Sequence, residues 1–400
     1  MVPEPMPLRV MRVVARMNVG GPALQSAALM RGLPADRFEQ RLYTGFVEPG
    51  EADYVDLRAA GLPVHRVPAL GRRVRPADDV RALAVLAAEM RRFRPHIVHT
   101  HTAKAGTLGR IAAVIAGVPC RVHTFHGHVL KGYFPPRTSR VIASAEGILA
   151  RHTDRLIAVG ERVRDELLAA GIGRPWQYSV VPPGTRLGPL PDRAAARRDL
   201  ELPPAGPVVA YVGRLTRVKR PDRLAAVARD VIAAVPGTVF AICGGGDLAD
   251  SVSSATADLG PSVRLLGWRA DVERVYAAAD VVVLTSDNEG MPVSLIEAGL
   301  AGVPAVATNV GSVAEVIKDG STGVLTRCDA GDLARSVIQL LREPELRARM
   351  GAAAAEWSHD RFGGERLVAD VQRVYESIAV ARGWWPARRA DAIDAQEVAR

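Results

Sequence analysis

Cysteine is scarce in this chain of 400 residues: Cys120, Cys243 and Cys328 are the only three, far apart and odd in number. That excludes a disulfide framework and gives no paired spacing for a zinc site, so a reducing, cytoplasmic setting is expected. Long apolar runs are also missing. No stretch approaches the ~18 apolar residues of a membrane span, and Arg9, Arg12 and Arg16 interrupt the segment where a secretory signal would need continuous apolar residues. The chain is expected to be soluble, touching at most the inner face of the plasma membrane. Aromatic residues make up 5%, with no interleaving of aromatic and basic residues, no helix-turn-helix pattern and no zinc-finger spacing, which argues against a nucleic-acid partner.

What is present is an ordinary globular composition, 48% apolar and 24% charged, punctuated by 37 glycines and 28 prolines. The net charge of +9 is unevenly placed. Residues 1 to 180 hold 26 Lys+Arg against 15 Asp+Glu, so the N-terminal half carries +11 and the remainder −2. Such a half can face anionic lipid or phosphorylated ligands, or present no more than an arginine-rich surface.

Short strand-like runs alternate with amphipathic stretches: RVMRVVAR (9–16), QRLYTG (40–45), PVHRV (63–67), HIVHT (96–100), CRVHTF (120–125) and RLIAV (155–159). A Pro/Gly-rich segment from Val181 to Pro207 breaks the pattern and reads as a linker holding a short helix. The alternation then restarts with VVAYVG, TVFAICG, VRLLG, DVVVLTS, PAVAT and GVLT. Repeated strand-helix alternation means parallel sheets covered by helices, and the interruption means two of them. Ligands in such sheets bind beyond the carboxyl ends of the strands, so two sheets face to face create one cleft.

The residues after the second-half strands carry the chemistry. Arg214 and Lys219 follow the strand ending at Gly213, three glycines (244–246) follow the next, and LGWRADV follows the third. In SDNEGMPVSLIEAG (286–299), Glu289 and Glu297 bracket an apolar run, and a buried carboxylate is costly unless something pairs with it. Pro292 suits the first position of a helix, which puts Glu289 in the loop and Glu297 about five residues into the helix, ~7.5 Å along its axis. The free N–H groups between them make an anion site. A diphosphate there, with a hydroxyl-rich group on either side for each carboxylate, describes a nucleotide sugar. The Gly-Gly-Gly turn lacks the third-glycine spacing of a dinucleotide fingerprint, which argues against an oxidoreductase. Nothing in the spacing sets Glu289 and Glu297 across a sugar as a glycoside hydrolase would need. His96, His99, His101, His123, His126 and His128 could be read as a metal cluster, but no Asp or Glu lies close in sequence and strand alternation separates them, so no metal is expected.

These stretches, with MNVGGPALQSAAL (17–29) and the HTHTAKAGTLGRIAA…HTFHGH region, resemble the family 4 retaining glycosyltransferases of GT-B fold, of bacterial cell-surface polysaccharide type, from about residue 8 to 381. The resemblance implies two Rossmann-like doubly wound parallel-sheet domains facing a central cleft. It implies an acceptor-binding domain over 1–182, a linker over 183–206, a nucleotide-sugar domain over 207–365, a helix over 366–382 crossing back, and a tail over 383–400.

For individual residues it implies Arg214 and Lys219 on the donor diphosphate, Glu297 on the ribose, and Glu289 with the backbone of Gly290, Met291, Pro292 and Val293 on the sugar. His126 would stand beside the reacting sugar. Gly20, Gly21, Lys104, Gly213, Gly245 and Arg269 would complete the substrate site, with Lys104 facing the cleft. Donor and acceptor are expected to be a nucleoside-diphosphate hexose, UDP-linked, and a hydroxyl on a lipid-linked or polysaccharide precursor, with no cofactor and no divalent metal. A nucleotide-sugar epimerase or hydrolase of the same fold, or a catalytically silent homologue, are the alternatives. Two departures from the family pattern stand out: Gly160 where Ser is usual, and Pro183 where Asn commonly precedes the glycine.

Overall fold

The computed structural model describes residues 6–71, 73–127 and 136–386. Within them, seven strands form a first parallel sheet: β1 (Leu8–Arg16), β2 (Phe38–Gly45), β3 (Val64–Arg66), β4 (Ile97–His101), β5 (Cys120–Phe125), β6 (Arg155–Ala158) and β7 (Tyr178–Val180), in spatial order β3-β2-β1-β4-β5-β6-β7. Six more form a second: β8 (Val208–Val212), β9 (Val239–Cys243), β10 (Val263–Gly267), β11 (Val281–Leu284), β12 (Ala305–Thr308) and β13 (Gly323–Thr326), in order β10-β9-β8-β11-β12-β13. In both sheets the strand order reverses beside the first strand, and a switch point of this kind opens a crevice at the carboxyl ends.

The central strands are Val/Ile/Leu/Ala-rich because helices cover both faces, so both sets of alternating side chains are buried, whereas the edge strands β3, β7 and β10 are only partly covered. On one face of the first sheet, Met11, Val13 and Val98 pack with Leu86 and Met90 of helix Pro76–Phe93. On the other, Val10, Phe38 and Ile97 pack with Val371, Tyr375 and Ile378 of the final helix, Gly364–Ala381. That helix lies against the first sheet although its sequence follows the second. Its Tyr375 hydroxyl accepts from Arg12 (3.1 Å) and lies 2.6 Å from His99 Nδ1. The Pro/Gly-rich segment contains the expected short helix, Arg193–Asp199.

β7 was not among the expected strands. It has three residues, lies at the sheet edge and is only half-buried, so it lacks the apolar run that marks the others.

Candidate active site

The two sheets meet across a cleft of about 440 Å³. The loop after β11 enters it. Gly311, at φ +50°, lies so close beneath this loop that a Cβ there would come 1.7 Å from the Glu289 carbonyl oxygen. The loop is further held by Thr308 Oγ1 on the Ser286 carbonyl (2.7 Å) and by the Ser312 N–H on the Gly290 carbonyl (3.0 Å).

Each glutamate has a partner. Glu289 Oε1 accepts from Lys219 Nζ and from Ser286 Oγ, both at 2.5 Å. Glu297 is 6% exposed and accepts from the Tyr276 hydroxyl at 3.0 Å, with the Arg58 guanidinium 3.7 Å away. Burial pushes the Glu297 carboxyl up to about 7, against the opposing pull of Arg58 and Tyr276. Glu297 is the fifth residue of helix Val293–Leu300, as the spacing requires. Pro292 precedes the helix as its cap instead of opening it, at φ −75° and ψ 111°, and no side chain caps the exposed N–H groups.

Lys219 is set by an unusual turn. Arg220, next to it, adopts φ +52° and ψ 59°, a conformation that costs ~1 kcal/mol or more for a residue with a side chain. Ion pairs from Arg220 to Asp222 (2.7 Å) and Asp287 (3.0 Å), with Arg223 to Asp287 (2.8 Å), hold it and tie it to the β11 loop. The Thr285 hydroxyl donates to the Lys219 carbonyl at 2.8 Å. Arg214 lines the same wall, and its guanidinium makes neither a hydrogen bond nor an ion pair among the described residues. An unpaired arginine, a lysine and an uncapped helix start therefore share one wall, an arrangement suited to a dianion.

From the first sheet come the loop at Gly20 and Gly21, and His126 just past β5. His126 Nε2 lies 2.9 Å from His101 Nδ1, and burial holds its imidazole neutral, pushed down to about 3. The halves touch here: a Cβ on Gly290 would stand 2.1 Å from the His126 carbonyl oxygen, so only glycine allows this approach. Polar contacts besides Arg58–Glu297 also cross between the halves. Arg58 pairs with Glu273 (2.8 Å), the Trp268 indole N–H donates to the Gly50 carbonyl (3.2 Å), and Glu315 accepts from the backbone N–H groups of Glu161 (2.8 Å) and Arg162 (3.0 Å).

The cleft thus gathers Gly20, Gly21, His126, Gly213, Arg214, Lys219, Arg269, Glu289, Gly290, Met291, Pro292, Val293 and Glu297. Arg269 is turned to Asp271 by two hydrogen bonds of 2.8 Å. Two expected residues do not line it. Lys104 points back toward helix Pro76–Phe93, its amine 2.5 Å from Asp79 and bonded to the Arg73 carbonyl, because a nearby carboxylate satisfies the charge more cheaply than the open cleft. Gly245 lies under Trp268, where a Cβ would come 2.6 Å from the indole nitrogen, and Trp268 is the residue that reaches the cleft.

Arg110 is buried and paired with Glu146 at 2.6 Å. His96, His99, His101 and His123 sit in or beside the strands, bonded to neighbouring side chains or backbone, and no group of three metal-ligating side chains occurs among the described residues. His128 lies outside them. Sequence reasoning missed Arg58 and Tyr54, which line the cleft from a short segment with no motif of its own, and Trp268, which stands inside LGWRADV beside the expected Arg269.

Comparison with known proteins agrees with this architecture. Residues 20–184 match the glycosyl transferase 4-like domain, and residues 192–357 match glycosyl transferases group 1. The UDP-Gal:alpha-D-GlcNAc-diphosphoundecaprenol alpha-1,3-galactosyltransferase of Escherichia coli is 32% identical over 302 residues, 73% of this chain and 77% of that protein. The D-inositol 3-phosphate glycosyltransferase of Segniliparus rotundus is 34% identical over 303 residues, 71% and 67% of the two chains. Among solved structures, Anabaena HepE in complex with UDP-glucose aligns with a TM-score of 0.76 at 21% identity, covering 92% of this chain and 100% of the other. With its paired parallel sheets and the Arg214, Lys219, Glu289 and Glu297 constellation between them, the chain belongs to the family 4 glycosyltransferases of GT-B fold.

Proposed function

We propose that this glycosyltransferase moves a hexose or hexose derivative from a UDP-linked donor to a hydroxyl of a lipid-linked or cell-surface polysaccharide precursor, with anomeric configuration retained and without a divalent metal. The observation that carries the reading is the unpaired Arg214 lining the same cleft as Lys219 and the uncapped start of helix Val293–Leu300. In this reading residues 1–182 bind the acceptor and residues 207–365 the donor. Residues 183–206 link them, and the helix over 366–382 ties the second half to the first.

The diphosphate lies between Arg214, Lys219 and the helix N–H groups, while Glu297 accepts hydrogen bonds from the ribose hydroxyls. Glu289, already oriented by Lys219 and Ser286, accepts from the sugar, and the backbone from Gly290 to Val293 shapes its pocket. His126 meets the sugar from the opposite half. As the glycosidic bond breaks, negative charge grows on the departing diphosphate. Fixed positive groups aimed at that charge lower the barrier because they need not reorganise during the reaction. The diphosphate oxygen takes the acceptor's proton, so no protein base is required. The likeness to enzymes named for a diphosphoundecaprenol-linked sugar and for inositol phosphate supports a hydroxyl acceptor, and the first of these favours a lipid-linked one.

The +11 of the first 180 residues supports contact with an anionic inner-membrane surface. Arg73, Arg75 and Arg92 hold side chains 65–76% exposed on this half. Arg72, next to Arg73, lies outside the described residues.

The test is turnover of UDP-hexoses with polyprenyl-diphosphate-sugar acceptors, with and without EDTA, and NMR of the product anomer. Retained configuration and EDTA-insensitive turnover are expected. Inversion or EDTA-dependent loss would contradict the corresponding part. Consumption of donor without acceptor would favour an epimerase or hydrolase.

A further inference from the structure

His101 is the last residue of β4, and in the β4–β5 register it lies opposite Thr124. His126, two residues beyond Thr124, projects from the same face of the sheet, which is why the two rings meet. Their Nδ1 and Nε2 atoms are 2.9 Å apart, and the rings stand 5.2 Å apart. Burial holds both imidazoles neutral. A neutral ring carries one N–H, so a single proton lies between these two nitrogens, and it can belong to either.

The other nitrogen of His101 decides which. His101 Nε2 is buried with no hydrogen-bond partner among the described residues. If His126 donated, the His101 proton would sit on Nε2 as a buried N–H with nothing to bond, at a cost of ~1–3 kcal/mol. It would also lie in the field of Arg12, a fully buried guanidinium whose charge acts on His101 against added positive charge. If His101 donates, Nε2 is a bare lone pair, which the same field stabilises. The second arrangement wins.

We infer that His101 is a positioning residue for His126: its Nδ1–H donates to His126 Nε2 and thereby fixes the His126 proton on Nδ1, the ring nitrogen left to meet a ligand in the cleft. His126 then offers the cleft a neutral N–H donor and no lone pair. It can bond an oxygen of the donor sugar, and it cannot take the proton of the acceptor hydroxyl. The inference rests on the reading of His126 as a donor-sugar contact and adds to it the direction of the hydrogen bond and the residue that sets it.

The experiment is nitrogen-15 NMR of histidine-labelled protein, with kinetics of His101→Leu and His101→Asn. Wild type is expected to show His126 protonated on Nδ1 and bare on Nε2. His101→Leu should lose that tautomer and slow turnover by about tenfold to a hundredfold while binding UDP normally. His101→Asn, whose amide N–H can replace Nδ1–H, should restore both. His126 protonated on Nε2 in the wild type, or full turnover in His101→Leu, would overturn the inference. Should His101→Leu not fold, the wild-type tautomer and the His101→Asn kinetics still decide it. Full turnover in His126→Ala would instead overturn the donor-sugar reading beneath it, a result separable from the tautomer because it is read on a different variant.

Discussion

Replacing Glu297 by Gln should make the ligand-free protein more stable at pH 8 while weakening its grip on nucleotide. The carboxyl is raised from its usual 4.5 to about 7 by burial. A group raised in the folded state contributes its stability below the unfolded value, and that contribution is lost as pH rises through the folded one. From 4.5 to about 7, at 1.36 kcal/mol per unit, the ionised group costs the folded protein about 3 kcal/mol at pH 8 and just under ~1 at pH 5. Glutamine keeps the shape and removes the charge, and Arg58 retains Glu273 at 2.8 Å as a partner. Scanning calorimetry should therefore show Glu297→Gln melting several degrees above wild type at pH 8 and near it at pH 5. With saturating UDP the gap at pH 8 should shrink, since losing charge-assisted bonds to ribose costs ~1–3 kcal/mol. For the same reason wild-type UDP affinity should fall as pH drops below about 7, and the variant's should not. A variant equally destabilised at both pH values, or one that binds UDP as wild type does, would refute the reasoning.

Lys219→Ala should bind UDP within a few-fold of wild type yet slow turnover by ~10²–10³, because charge on the diphosphate grows as the bond breaks; an effect confined to KM would contradict this. Glu315→Ala should destabilise the protein by ~1 kcal/mol, as for loss of a helix cap, since its carboxylate takes the N–H groups of Glu161 and Arg162. Gly160→Ser alone should also destabilise, a Cβ there coming 2.5 Å from Ser312 Oγ and 2.8 Å from Glu315, whereas the double variant should recover; melting curves of the three decide it. Flotation with anionic liposomes should show binding at low salt that disappears at high salt, each near-surface basic residue contributing ~1 kcal/mol, and no binding at low salt would sink the membrane contact.

Sequence patterns reveal features that follow from chain-local physics. Twelve strands appear as strand-like runs bounded by turns, the central ones most plainly because a parallel sheet buries both of their faces. Three-residue β7, half-exposed at an edge, has no such run. Glu297 is legible through helix periodicity and Glu289 through its place after a strand. Arg58 is not, because what makes it part of the cleft is a partner more than 200 positions away, Glu273. Lys104 misleads for the opposite reason. Its place at a helix start points to the cleft, but Asp79 from the preceding helix takes its charge. Gly160 departs from the family's serine at a helix start, and the structure supplies a reason: Glu315 reaches across from the other half to cap the same helix.

The central claim is that one wall of the cleft holds the nucleoside diphosphate through Arg214 and Glu297 while Glu289 reads the sugar. Titration calorimetry of UDP and of UDP-glucose into wild type, Arg214→Ala and Glu289→Ala tests it most directly. Wild type should bind both ligands. Arg214→Ala should weaken both by about tenfold or more, the loss of a charge-assisted contact. Glu289→Ala should weaken UDP-glucose and leave UDP unchanged. Equal affinities across all three proteins, or a Glu289→Ala effect as large on UDP as on UDP-glucose, would contradict the account.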